Sequence, residues 1–140
     1  MRQKPRKKGK RTRTYSSLKR ELDKVFSEFI RLRDMRENNG SRCFTCGLIP
    51  LSWRQLQCGH YVSRVHLSTR WNERNCAAQC YACNVLRRGN PAEFTLALQA
   101  KYGPGIVQEL VDLKRQSVKF SRSELQDLIE GYEARLGVIS

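Results

Sequence analysis

The apolar residues Leu18, Leu22, Val25, Phe26, Phe29 and Leu32 recur at steps of three and four, which places them on one stripe of a helix. The pattern predicts a helix from about Ser17 to Asn38. Asn38-Asn39-Gly40 ends it, because Asn and Gly tolerate left-handed C-cap geometry. Arg31, Arg33 and Arg36 load its last turns, where the helix dipole favours cations. The periodicity then breaks. Gln55 to Val62 reads as a strand leading into His60, and Val65 to Thr69 as a second strand. A short helix is expected over residues 81–88.

Helical signals return at Asn90-Pro91-Ala92-Glu93, with Asn at N-cap, Pro at N1 and Glu93 placed to reach back as in a capping box. That helix ends near Tyr102-Gly103-Pro104-Gly105, and another spans about 105–116. Ser121-Arg122-Ser123-Glu124 is a second capping box. It starts a helix with Leu125, Leu128, Ile129, Tyr132 and Leu136 on one face and Gly137 as its stop. The fold class is therefore α+β. An N-terminal helix (15–40), an irregular core (41–90) and C-terminal helices (91–140) form one domain over 15–140, a size that fits a single unit.

Charge adds a partner to this picture. The chain has 140 residues and a formal net charge of +14. Such an excess points to a polyanion, and nucleic acid is the first candidate. Residues 1–14 carry eight cations, Arg2, Lys4, Arg6, Lys7, Lys8, Lys10, Arg11 and Arg13, and no acid. This segment is expected to be a disordered basic arm that grips phosphate; the plain alternative is a solvated tail. Arg64, Arg70, Arg74, Arg87 and Arg88 crowd the core and are further phosphate-contact candidates. Neither an export signal nor a membrane span stands out, so a cytoplasmic location with no membrane partner is expected.

The cysteines add a metal. Cys43-Phe44-Thr45-Cys46 and Cys80-Tyr81-Ala82-Cys83 are two paired motifs. Four thiolates complete a closed tetrahedral site, so one structural zinc per chain is expected, held by Cys43, Cys46, Cys80 and Cys83. Cys58 and Cys76 are left over and read as buried thiols. Trp53, Tyr61 and Trp71 read as packing residues.

Inside the zinc loop lie Gly59-His60-Tyr61 and Asn75, and Asn84 follows the last cysteine. This order resembles the zinc-stapled HNH, or ββα-metal, nucleases. The resemblance implies a zinc-stapled ββα-metal core. It further implies His60 as general base, with Asn84 or Asn75 holding a catalytic Mg²⁺ or Mn²⁺. The chemistry is coherent. Phosphodiester hydrolysis builds charge that a hard cation offsets, and a neutral imidazole can take a proton from water.

Cys43-Phe44-Thr45-Cys46-Gly47, Gly59-His60-Tyr61, Asn72-Glu73-Arg74-Asn75, Gln79-Cys80, Cys83-Asn84 and Gly89-Asn90 narrow the match. Together they resemble the phage NinG/Rap family of recombination endonucleases, over roughly residues 20–135. That resemblance implies cutting of branched DNA, such as Holliday junctions and D-loops, in a bacterial host cytoplasm. Symmetric cutting of a junction would suit a homodimer.

One departure stands out. Many HNH enzymes carry an acid directly before the His; here that position is Gly59, and Gln57 precedes it by two. Asn84 would then hold the cation nearly alone, with Glu73 as a candidate helper. The competing reading is a catalytically silent zinc-finger DNA-binding protein, which needs the thiolates and the charge but neither His60 nor Asn84.

Overall fold

The computed structural model describes residues 13–139. Residues 1–12, and with them the basic-arm candidates Arg6, Lys7, Lys8, Lys10 and Arg11, lie outside the described residues. The fold is mixed α+β, mostly helical, with one two-stranded sheet. Helix α1 (Tyr15–Glu37) starts at Thr14, whose hydroxyl accepts the Ser17 N–H. Its apolar stripe is buried as the periodicity predicts except for Val25, which is half-buried, and Ile30 joins it.

Strand β1 (Gln57–His60) and strand β2 (Cys76–Gln79) pair antiparallel, with His60 opposite Cys76 and Cys58 opposite Ala78. The strand expected at Val65 to Thr69 does not form. That stretch is a bend followed by helix α2 (Leu67–Arg70), and the second strand lies further on, at Cys76–Gln79. Polar Gln79 and the two alanines gave that strand no alternating pattern, and all four of its residues are buried.

The helix expected over 81–88 is a single π-helical turn at Ala82–Leu86. Arg88, Gly89 and Asn90 then take positive φ angles of 51°, 88° and 48° and reverse the chain. Helix α3 (Pro91–Tyr102) follows with Pro91 in its first turn. The expected capping box is not made, because Asn90 is left-handed and its side chain accepts no cap bond. Helix α4 (Ile106–Lys114) comes next, then helix α5 (Arg122–Ile139). The Ser121–Glu124 capping box does form, at 3.1 and 3.3 Å. Gly137 does not stop α5, which runs on to Ile139.

Successive residues of β2 enter different apolar clusters, because strand side chains alternate. Cys76 joins α1 and α5 around Leu18, Leu22, Phe26 and Tyr132. Ala77 joins α3 and α4 around Phe94, Leu98, Ile106 and Leu110. Ala78 joins the cysteines and Leu56. A buried Leu or Phe contributes about 1.5–3 kcal/mol. Leu56 is the only large aliphatic side chain of that third cluster among the described residues, so burial does little to hold the cysteine loop.

Two polar clamps tie α1 to the sheet. Buried Asp34 accepts the Ala78 N–H at 2.8 Å and pairs with Arg33. Arg33 in turn donates to the carbonyls of Glu73 and Cys76, at 2.7 and 2.9 Å. Trp71 is buried and donates to Asp23, Tyr61 bonds Thr95, and Trp53 lies under Arg31 and Arg54. These three aromatics pack, as expected.

Candidate active site and metal centre

Cys43 and Cys46 sit on a tight turn that Gly47 closes with φ 78°. Cys80 directly follows β2, and Cys83 lies in the π-helical turn. The four sulfurs lie within 4.8 Å of one another and can hold a metal ion. Cys46 Sγ and Cys80 Sγ are 3.7 Å apart. A tetrathiolate zinc site, with bonds of about 2.3 Å, has sulfur–sulfur edges of about 3.8 Å, so the spacing fits.

Outer groups are in place as well. Arg87 and the Asn90 amide donate to Cys83 Sγ at 3.7 and 3.6 Å, and the Cys83 N–H reaches Cys80 Sγ at 3.5 Å. Donors of this kind stabilise thiolate charge and orient the ligands. Burial raises the Cys43 thiol, but hydrogen bonds from the Thr45 hydroxyl and from backbone N–H groups outweigh it and bring it down to about 6.

The π-helical turn sets Asn84 over β1. Its amide nitrogen donates to Gln57 Oε1 at 2.7 Å, which leaves the amide oxygen as the group available to a cation. A cavity of about 330 Å³ opens here, lined by Cys58, His60, Arg64, Asn84, Arg88 and Gly89. The structure thus brings His60, Asn84, Arg64 and Arg88 together, although His60 and Asn84 are 24 positions apart in the sequence.

His60 ends β1, with Nε2 2.8 Å from the Arg70 carbonyl oxygen. A carbonyl only accepts, so Nε2 carries the proton and Nδ1 keeps its lone pair in the neutral ring. Burial pushes the imidazole below its ordinary 6.5; the bond to Arg70 opposes this, and the charge of Arg64 adds to it.

The other expected site residues are engaged elsewhere. Asn75 is fully buried, and its amide is spent on the Val62 N–H and on the carbonyls of Val62 and Thr69, at 2.8–3.1 Å. It braces the 62–75 loop from a fully buried position. Glu73 is gripped by both Arg135 guanidinium nitrogens and by Tyr132, so it is a clamp to α5 and not a metal helper. Burial raises its carboxyl, but Arg135 more than offsets this and leaves it below the ordinary range.

Arg70 chelates Asp23 through Nε and Nη2. Arg74 pairs with Glu109 at 3.0 Å, and Arg87 attends Cys83. Of the core arginines, Arg64 and Arg88 line the cavity, with Arg64 also 4.0 Å from Asp23.

Sequence reasoning missed two residues. Gln57 orients Asn84, and Cys58 lines the cavity where a buried thiol was expected. The spacing of Cys58 to His60 was the available signal, since alternate strand residues share a face.

A family model described as "Bacteriophage Lambda NinG protein" matches residues 1–139. The chain belongs to the NinG family. Similar NinG proteins include that of Escherichia phage lambda, 31% identical over 92 residues, covering 65% of this chain and 42% of the relative. Another is that of Salmonella phage P22, 28% identical over 119 residues, covering 84% of this chain and 55% of the relative. The NinG chain described here thus spans about half the length of the curated relatives it matches. No solved structure matches it. No helix of the described residues is long and apolar enough to cross a membrane.

Proposed function

We propose that this NinG-family chain is a divalent-metal-dependent endonuclease that hydrolyses phosphodiester bonds in branched DNA, such as Holliday junctions and D-loops. One observation carries the reading. His60, with Nδ1 unprotonated, and Asn84, with its oxygen free, line one cavity alongside Arg64 and Arg88. DNA binding alone requires neither of the first two.

In this reading zinc fills the four-cysteine site and supplies folding energy that the small third cluster lacks. It also fixes Asn84, which directly follows Cys83. His60 Nδ1 takes the proton of the attacking water, while Arg70 holds the ring through Nε2. Asn84 and its Gln57 brace offer one hard oxygen. That donor set suits Mg²⁺ or Mn²⁺ keeping most of its waters, and when bound the cation would offset charge on the phosphate oxygens. Arg64 and Arg88 would position the phosphate, and the basic arm would add affinity independent of sequence.

The second reading is a zinc-stapled DNA-binding protein without activity. It is favoured by the absence of any carboxylate from the cavity lining among the described residues. Purified protein incubated with linear, forked and four-way DNA, with and without Mg²⁺ or Mn²⁺, decides between them. Metal-dependent nicking confined to the branched substrates is expected. Tight junction binding without nicking under any divalent metal would leave the second reading. Equal cutting of linear DNA would refute the substrate class.

A further inference from the structure

The strand register brings together three soft donors that neither the zinc cluster nor the hydrolytic reading uses as a set. Cys58 and His60 share one face of β1, and Cys76 stands opposite His60 on β2. The two thiols and a ring nitrogen of His60 lie within 4.8 Å of one another. Cys58 and His60 line the cavity, so ions from solvent can reach them. Cys76, 1% exposed, closes the inner side.

We propose that Cys58, His60 and Cys76 form a second metal site, distinct from the four-cysteine cluster, which takes a thiophilic dication such as Zn²⁺ or Cd²⁺ and withdraws His60 from catalysis. Thiolate and imidazole donors select soft or borderline ions, whereas Mg²⁺ demands oxygen. Zinc–sulfur bonds of about 2.3 Å call for donor separations near 3.8 Å, so closing the site needs side-chain movements of about an ångström at most. Arg31 and Arg33 stand near Cys58 and Cys76, and Arg64 near His60. They do not forbid the site, because two thiolates cancel the charge of the dication. Binding releases two thiol protons to solvent.

The consequence for activity rests on the nuclease reading; the binding does not. A ligated His60 either loses the Nδ1 lone pair or gives up its bond to the Arg70 carbonyl. Both outcomes remove the oriented base. Two cations of opposite character would then compete for one cavity, a hard one at Asn84 that permits hydrolysis and a soft one at Cys58 and Cys76 that stops it.

The test uses full-length protein, fully cadmium-substituted under a phosphine reductant, and cadmium NMR. Wild type is expected to give two signals, one from four sulfurs and one from two sulfurs and a nitrogen. Cys58→Ser, a change at a half-buried position, should abolish or shift the second signal and keep the first. His60→Gln should do the same, which guards against a local packing effect of either change. A single signal in wild type overturns the site, as does a second signal untouched by both variants.

Cleavage by zinc-loaded protein is then followed as Zn²⁺ is added. Inhibition should need about tenfold or more additional Zn²⁺ in Cys58→Ser, for the loss of one thiolate. Equal inhibition of both proteins overturns the silencing. If wild type shows both cadmium signals but never nicks DNA, the binding site stands and the nuclease reading is what fails.

Discussion

The Nε2 of His60 lies 2.8 Å from the carbonyl oxygen of Arg70, and this one bond sets the tautomer of the histidine that lines the cavity. Burial, the largest influence, holds the ring below its ordinary 6.5. The folded state therefore binds fewer protons than the unfolded state between the two pKa values. Stability should fall as pH drops below about 6.5 and be unaffected by this group above it. His60→Gln should remove that part of the acid sensitivity, as seen in denaturant midpoints across pH. The His60 ring should titrate below 6.5 by NMR, and the acid limb of kcat/KM should lie below 6.5 as well.

Gln57 accepts from the Asn84 amide at 2.7 Å and so decides which atom of Asn84 is left for a cation. It is a positioning residue. Gln57→Ala should lower the apparent affinity for activating Mn²⁺ by about 10–100-fold while junction binding holds. Gln57→Glu keeps an acceptor and should recover most of it. A metal-titration curve for each variant checks this.

Gly59 explains the absent acid. A Cβ at this position would overlap Oε1, Cδ and Cγ of Gln79. Gln79 is fully buried and donates to Thr45 and to the Gly89 carbonyl, so it cannot swing away without releasing the turn that follows Asn84. Gly59→Asp should therefore destabilise the fold instead of adding a ligand. Gly59→Ala alone should cost about 1–3 kcal/mol in chemical denaturation.

Asp34 joins α1 to β2 through the Ala78 N–H and offsets the charge of Arg33. Asp34→Ala would strand a largely buried guanidinium and a buried N–H. A loss of about 3–5 kcal/mol is expected in denaturant unfolding of the metal-loaded protein. Arg33→Met combined with Asp34→Leu should lose less, because no lone charge remains.

The helices were legible because their stripes and caps are local: α1 and the Ser121–Glu124 box stand as read. The cysteine cluster was legible from spacing alone. The second strand was not, since Cys76-Ala77-Ala78-Gln79 carries no alternation and is defined by burial on both faces. Asn90 misled for a related reason. Its side chain serves Cys83, and its left-handed backbone completes the chain reversal before α3 instead of capping that helix with its side chain. The fates of Asn75, Glu73 and Arg70 were also out of reach. Each is decided by a long-range partner, Val62, Arg135 and Asp23 respectively, which sequence order does not reveal.

His60 is proposed as the base of a branched-DNA endonuclease. The most direct measurement is the single-turnover nicking rate of a four-way junction with Mg²⁺ or Mn²⁺, for wild type and His60→Ala, with zinc content and junction affinity measured in parallel. Wild type should nick the junction. His60→Ala should be slower by about 10²–10⁴-fold, with one zinc per chain retained and affinity unchanged. Nicking by His60→Ala at the wild-type rate would contradict the assignment, and so would a wild type that binds junctions and never cuts them.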